Sequence, residues 1–114
     1  MLNNIDLTQI NLREARTTVG MFYGCSALTN INLNNETLKN LSNASYMFFG
    51  CTNITELDLQ KINFSVVGNL TYMFGQCSKL ERLYVNNTWG TGNAQKMNMF
   101  EACPIDQETG IIIL

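Results

Sequence analysis

Four cysteines are the most evident candidates for chemistry in this chain, and they recur at a constant spacing. They are Cys25, Cys51, Cys77 and Cys103, each at the same place in a 26-residue period. Such thiols could form disulfides, hold a metal ion or act as nucleophiles. The chain has no histidine. Ser-His-Asp catalysis, Cys-His catalysis and histidine-ligated metal sites are therefore excluded, because each of them needs an imidazole.

The spacing of the cysteines favours a buried column of free thiols. Equivalent residues on neighbouring strands lie ~4.8 Å apart with parallel side chains, whereas the Cβ atoms of a relaxed disulfide lie ~3.5–4.5 Å apart. Zinc ligands usually come in pairs only a few residues apart in the sequence. Free cysteine packs like a small apolar residue, so we expect the four thiols to stack in the interior.

Carboxylates are the second chemical option, because Asp6 and Asp58 occupy the same phase of the period. A calcium ion needs six to eight oxygen ligands, which is more than this pair supplies. Glycoside hydrolysis needs one carboxyl group in a buried pocket that raises its pKa, and no sequence feature provides one. We therefore expect a protein that is not an enzyme and that holds no metal and no cofactor.

The amino-acid composition limits the kinds of partner that the chain is expected to bind. Charged residues make up only 14% of the 114-residue chain, and 16 Asn and 11 Thr supply much of its polarity. With a net charge of -2 and no basic cluster, nucleic-acid binding is not expected. No apolar run approaches the ~18 to 20 residues that span a membrane, so membrane insertion is not expected either. The first residues do not resemble a signal peptide.

A repeat organises the whole chain. Met-Phe precedes every cysteine by the same offset, and apolar residues follow three, six and eight positions after it, as in Ile54, Leu57 and Leu59. The pattern predicts one domain over residues 1–114. Its parts are a leading partial repeat 1–20, full repeats 21–46, 47–72 and 73–98, and a closing partial repeat with a cap, 99–114.

Two hydrophobic rhythms alternate within each period. The triplet Leu57-Asp58-Leu59 has the period of two that is typical of a half-buried strand. Before each cysteine, apolar residues such as Val67, Leu70 and Met73 fit one face of a helix, with Gly24 and Gly50 at its end. These rhythms predict an α/β fold: a leucine-rich repeat solenoid of about four 26-residue repeats, with a short parallel sheet on one face and short helices on the other.

The motif Met47-Phe48-x-x-Cys51-x-x-Ile54-x-x-Leu57-Asp58-Leu59 resembles the repeat of BspA-like leucine-rich repeat proteins of bacterial surfaces. The resemblance implies the solenoid fold and a role in adhesion at a cell surface. It weakens in the closing repeat, where Trp89-Gly90-Thr91-Gly92 and Pro104 depart from the pattern.

Two functional hypotheses follow. In the first, the chain is a binding or adhesion module that recognises a protein or glycan partner through outward side chains of the sheet. The predicted contact residues are Asp6, Asn30, Asn32, Asn34, Glu56, Asp58, Gln60, Arg82, Tyr84 and Asn86. Such a module would lie at a cell surface or be secreted if it is part of a longer exported chain.

In the second hypothesis the chain is a structural or assembly module, for example of a virion or cell envelope, that docks through its ends. An uncapped solenoid end exposes apolar side chains and an unpaired strand edge. The predicted end residues are Leu2, Ile5, Leu7, Ile111 and Ile112. Production in the cytoplasm, followed by docking to a second copy or to a larger assembly, would suit this role.

Two aromatic residues leave a further question open. Tyr23 and Phe49 follow Met-Phe in the early repeats, where Gly75 and Glu101 stand in later copies. They could form an exposed apolar patch or pack into the groove between repeats.

Overall fold

The fold is that of a computed structural model, which describes the backbone of residues 4–6 and the full residues 16–32, 38 and 40–114. The described part contains short strands and a single three-residue 3-10 helix, η1. The strands are β1 (Asn4–Asp6), β2 (Asn30–Asn32), β3 (Glu56–Asp58), β4 (Arg82–Val85) and β5 (Ile111–Ile113), and η1 is Phe64–Val66.

The strands pair in parallel, and the repeat sets the register. Ile31 of β2 lies opposite Ile5, and Leu83 of β4 lies opposite Leu57 of β3, so each residue meets its equivalent one period away. Among the described residues these strands form two ladders, β1-β2 and β3-β4-β5, and β2 contacts β3 where the ladders meet. The pairing confirms the predicted period. We call each period with its strand a layer.

The last strand breaks the spacing. Ile111 of β5 pairs with Leu83, although strict repetition would bring Thr109 to that place. A turn held by Asp106 precedes β5, and Gly110 lies so close to the Glu81 carbonyl that a Cβ there would come within 2.6 Å of its oxygen. Since only glycine fits this approach, Gly110 allows the closing segment to continue the sheet despite Pro104.

The predicted α/β leucine-rich repeat solenoid with short helices is wrong. The described residues contain no α-helix, and the segments where helices were predicted consist of turns and extended residues, with Met73 in a turn and Val67 and Leu70 outside one. The molecule is a compact body of 33 × 31 × 24 Å built from stacked strands and turns.

Backbone hydrogen bonds explain why these segments do not form helices. The N–H groups of Ala44, Tyr46 and Phe48 donate to carbonyls 25 residues further along the chain, in the adjacent turn segment, with N···O distances of 2.9, 3.0 and 2.9 Å. The N–H groups of Met47 and Phe49 instead donate three residues back along the chain, within the same turn segment. In an α-helix every one of these N–H groups would donate to the carbonyl four residues back. Here every second N–H group donates to the neighbouring layer, so a helix cannot form.

The sequence pattern could not separate the two structures. Successive turns with bonds three residues back bring roughly every third side chain inward, and a helix does so every 3.6 residues. Over so short a segment the two rhythms select nearly the same positions. Gly24 and Gly50 do adopt positive φ, at 69° and 76°, but in turns rather than after a helix.

A polar ladder holds the turns of neighbouring layers together. Isolated parallel bridges join Thr17 to Asn43, Asn43 to Asn69 and Asn69 to Gln95. The Oδ1 atoms of Asn43 and Asn69 also accept hydrogen bonds from N–H groups two residues on, at 3.0 and 2.9 Å. These asparagines therefore shape the turn and link the layers at once.

The core consists of columns of identical side chains. Phe22, Phe48, Phe74 and Phe100 stack in sequence, with ring centroids 5.4, 5.8 and 5.4 Å apart. Met47 and Met73 beside them are fully buried. Such offset stacking adds to the burial of apolar surface, so the column is a major source of stability.

The cysteines form the expected column of free thiols. Cys51 and Cys77 are buried, and Cys25 and Cys103 are partly buried. The Cys51 thiol donates to the Phe22 carbonyl at 3.1 Å, and that of Cys77 donates to the Phe48 carbonyl at 3.0 Å. Burial raises the pKa of both thiols from 9.0 to about 12, and the neighbouring cysteines add to the shift.

Replacing Phe74 with alanine should destabilise the protein by about 2 to 5 kcal/mol, because the change leaves a cavity between two stacked rings. Urea unfolding followed by circular dichroism would measure the loss. Val66→Ala, at a side chain that is 49% exposed, is the control and should cost less than about 0.5 kcal/mol. A similarly small loss for Phe74→Ala would contradict the described core.

The buried thiols should also make stability depend on alkaline pH. Their folded-state pKa lies above the unfolded value, so their contribution is complete below about pH 9 and is lost as pH rises towards 12. Urea unfolding at several alkaline pH values would measure the decline. A Cys51→Ala, Cys77→Ala variant should be less stable at neutral pH but should lose stability less steeply above pH 9. Equal slopes for the two proteins would refute the role of the thiols.

Candidate functional site

The sheet presents a row of polar side chains in register. Along β3 and β4, Leu57 and Leu83 point into the core, while Glu56, Asp58 and Arg82 are exposed and Tyr84 is half-buried. This alternation is the strand periodicity that the sequence predicts. We call the outward side chains of β2, β3 and β4 the sheet face.

An ion pair organises the centre of the sheet face. Arg82 donates from Nη2 and Nε to Glu56 Oε2 at 3.0 and 3.1 Å, and the Tyr84 hydroxyl lies 3.5 Å from the same oxygen. The hydrogen bonds from Arg82 to Glu56 are the first cause of a raised pKa of Arg82. Because both side chains are nearly half-exposed, the pair positions charges more than it stabilises the fold.

A shallow cavity lies where the two ladders meet. It has a volume of about 90 Å³ and is lined by Ile31, Asn32, Asp58 and Lys61. Asp58 is held in place because its Oδ1 accepts hydrogen bonds from the N–H and the Nε2 of Gln60, at 3.1 and 3.0 Å. The cavity is thus lined by one carboxylate, one ammonium group and one amide, together with the apolar side chain of Ile31. Lys61 is absent from the predicted contact residues, since no sequence signal selects it.

Asn86 serves the fold rather than the sheet face. Its Nδ2 donates to the carbonyls of Gln60 and Ile62 at 2.6 and 2.7 Å. Its Oδ1 accepts from the Thr88 N–H at 2.8 Å and from the Thr88 hydroxyl. With its amide fully engaged, Asn86 fastens the loop after β4 to the loop after β3.

The other predicted contact residues are placed unevenly. Asn30 is exposed and Asn32 half-buried, and the Nδ2 of Asn30 donates to Asn32 Oδ1 at 3.4 Å. Asp6 lies in β1, paired with Asn32, but its side chain lies outside the described residues. Asn34 lies outside them altogether.

The predicted end residues are only partly described. Ile111 and Ile112 are half-buried in β5, and beyond them Ile113 and Leu114 are 57% and 67% exposed. The backbone of Ile5 pairs in β1, whereas its side chain, together with Leu2 and Leu7, lies outside the described residues.

The two aromatic residues that the sequence left open belong to a larger cluster on the turns. Tyr23 is 57% exposed and stacks on the half-buried Phe49, with centroids 5.0 Å apart. Tyr46 and Tyr72 stack beside them at the same distance. Both of the latter tyrosines have positive φ, 57° and 56°. The sequence shows that Tyr46 and Tyr72 occupy the same position in successive repeats. It does not show that their backbone is left-handed.

No group of three or more histidine, cysteine, aspartate or glutamate side chains among the described residues could hold a metal ion. In the same part of the chain, no helix has the length and apolar character needed to cross a membrane. The sheet face itself presents hydrogen-bonding groups, charges of both signs and a half-buried tyrosine ring.

Comparison with known proteins places the chain in a family. Residues 1–109 match the family described as "Mycoplasma protein of unknown function, DUF285". The chain belongs to this family. The DUF285 match begins in the leading partial repeat and extends into the closing segment before β5. No curated protein and no solved structure matches the chain.

Replacing Asn86 with alanine should lower the free energy of unfolding by about 2 to 3 kcal/mol, because it leaves two carbonyls and the Thr88 donors without their partner. Thermal and urea unfolding would measure the effect. Asn30→Ala, on the exposed part of the sheet face, is the matched control and should change stability by less than about 0.5 kcal/mol. Equal stabilities for the two variants would show that Asn86 is free for other contacts.

Proposed function

We propose that this DUF285 protein is a non-enzymatic binding module that recognises a protein or glycan through its sheet face. The observation that supports this is the set of exposed polar side chains on adjacent strands, centred on Glu56, Arg82 and Tyr84. The small cavity between Asp58 and Lys61 lies on the same face. Interfaces of this kind are specified by a few aromatic and arginine contacts surrounded by polar groups.

The BspA-like motif supports a more specific version of the proposal. It suggests adhesion, with the chain displayed at a cell surface or secreted as part of a longer exported protein. The face is suited to such contacts because it carries both signs of charge and many neutral hydrogen-bonding groups. A partner could therefore be matched without the strong salt dependence of a single-sign surface.

Binding arrays provide the test of sheet-face recognition. The labelled chain would be applied to a glycan array and to an array of extracellular proteins, and any partner would be titrated by surface plasmon resonance. Changing Asp58→Lys together with Tyr84→Ala should weaken binding at least ~10-fold, because it reverses one charge and removes one aromatic contact.

A matched control separates the sheet face from the rest of the surface. Glu108→Lys with Tyr23→Ala makes the same kinds of change at exposed positions elsewhere, and it should leave the affinity within about twofold. If the control abolishes binding and the Asp58, Tyr84 variant retains it, recognition uses another surface and the proposal is wrong.

A second candidate function is assembly through the end of the strand stack. In the described part of the chain, β5 pairs with β4 on one side and with no strand on the other, and Ile113 beside that edge is exposed. An open edge can accept a strand from a second copy or from a larger structure. Binding that survives the sheet-face variant but is lost on Ile112→Lys would favour assembly.

A further inference from the structure

The backbone hydrogen bonds between turns stop at the last turn of the stack. Equivalent turn segments occupy four places in the chain, residues 17–24, 43–50, 69–76 and 95–102. In the first three, alternate N–H groups donate to the segment that follows, as Phe74 does to the Met99 carbonyl at 2.9 Å. The corresponding donors of residues 95–102, the closing turn segment, are the N–H groups of Lys96, Asn98, Phe100 and Ala102. None of them has an acceptor in the part of the chain that the structure describes.

The closing turn segment keeps the backbone conformation of the segment before it. Asn98 and Ala102 have positive φ, at 54° and 52°, and their counterparts Tyr72 and Gln76 have 56° and 54°. Such a backbone is uncommon for residues other than glycine, so its repetition marks the same turn geometry. The four free N–H groups therefore point away from residues 69–76, towards the place that a further turn segment would occupy.

A groove with a volume of about 460 Å³ lies along this edge. Its lining residues are Lys96, Asn98, Met99, Phe100, Glu101 and Gln107. Phe100 stacks on Phe74 at 5.4 Å and is half-buried, whereas Phe48 and Phe74 are fully buried with a described ring on each side. The groove thus offers free backbone donors together with the end of the phenylalanine column.

A folded second copy of the chain does not fit this groove. The segment it could offer is residues 17–24, because its later turn segments already accept hydrogen bonds on the side that would face the groove. Strand β1 precedes residues 17–24, just as β5 precedes the place next to the closing turn segment. Stacking would therefore bring β1 of the second copy onto β5, which already pairs with β4. The occupant has to be a segment without a strand before it.

We propose that the groove binds a phenylalanine-containing peptide segment of a partner protein, which takes the place of a fifth turn segment. Alternate carbonyls of the partner accept hydrogen bonds from Lys96, Asn98, Phe100 and Ala102. The carbonyl just before its phenylalanine pairs with the Phe100 N–H, as the Met99 carbonyl pairs with that of Phe74. The phenylalanine ring then stacks on Phe100 and continues the column.

This mode of docking divides affinity and specificity between backbone and side chain. Main-chain hydrogen bonds to a free edge supply affinity for any segment that can adopt the turn, and the ring position selects the sequence. The inference rests on the second candidate function, assembly through the end of the stack, and gives it a partner of defined chemistry. It does not depend on recognition through the sheet face.

A peptide with the sequence of residues 68–76 is a suitable probe, because that segment covers the equivalent edge of residues 43–50. The chain labelled with ¹⁵N would be titrated with this peptide by NMR. The amide signals of Lys96, Asn98, Phe100 and Ala102 should shift saturably, with a Kd below about 1 mM. Hydrogen exchange of these four amides should slow at least ~10-fold at saturation, because each gains an acceptor.

Two altered peptides test the partner chemistry. Replacing the phenylalanine that corresponds to Phe74 with alanine should weaken binding at least ~10-fold, because the ring contact is lost. A peptide of the same composition in reverse order should not protect the four amides, since turn segments pair in parallel.

Two variants of the protein locate the site. Phe100→Ala should weaken binding of the probe at least ~10-fold, and thermal unfolding would establish that it is folded. The Asp58→Lys, Tyr84→Ala variant is the control and should bind the probe within about twofold of the wild type. The altered peptides keep the test decisive if Phe100→Ala does not fold.

Three results would overturn the inference: no saturable shift at millimolar peptide, equal affinity for the alanine peptide, or shifts confined to amides of β2, β3 and β4. The assembly candidate has a separate outcome. If the probe leaves the four amides unprotected while Ile112→Lys abolishes docking to a partner, assembly uses the β5 edge alone. The groove inference then fails and the assembly candidate stands.

Discussion

The hydrogen bonds between neighbouring layers are the constraint on which the rest of this structure depends. In the turns, alternate N–H groups donate to the carbonyls of the next layer, as at Ala44, Tyr46 and Phe48. Each such bond requires a carbonyl at the same place in the following period. The period therefore has to stay constant across the central layers. As a result, equivalent side chains of successive repeats lie directly above one another. The phenylalanine and cysteine columns are consequences of that stacking.

The same constraint explains the strained turns. Tyr46 and Tyr72 hold a left-handed backbone that is unusual for bulky residues and costs of order 1 kcal/mol each. The neighbouring layers impose this conformation because the N–H groups of both tyrosines donate to the layer that follows, at 3.0 and 3.2 Å. Stacking of the two rings at 5.0 Å offsets part of the cost.

Features that could serve binding arise where the repetition is interrupted. The two strand ladders meet between β2 and β3, and the small cavity beside Asp58 lies there. In the closing layer, Gly90 and Lys96 replace large apolar residues, and a larger cavity opens beside Trp89. Regular layers fill their own interior with matching side chains. Departures from the pattern are therefore places where space remains between the side chains.

Only part of the candidate site could be placed from the sequence, and the reason is physical. Strand periodicity correctly placed Glu56, Asp58 and Arg82 on the exposed side of the sheet, because alternation depends only on local geometry. It could not reveal that Asn86 turns inward to bond the carbonyls of Gln60 and Ile62. Nor could it bring Lys61 to the cavity, because that contact depends on how the loop after β3 packs.

The sequence by itself determined the period, the parallel strands and the column of free thiols. These follow from residue types and from spacing along the chain. Only the tertiary structure decided between helix and turn in the segment before each cysteine. Over so short a segment, a helix and a series of turns bury nearly the same residues. Which of the two forms depends on the hydrogen-bond partners of the backbone N–H groups. At Ala44, Tyr46 and Phe48 they bond to the adjacent layer rather than to their own.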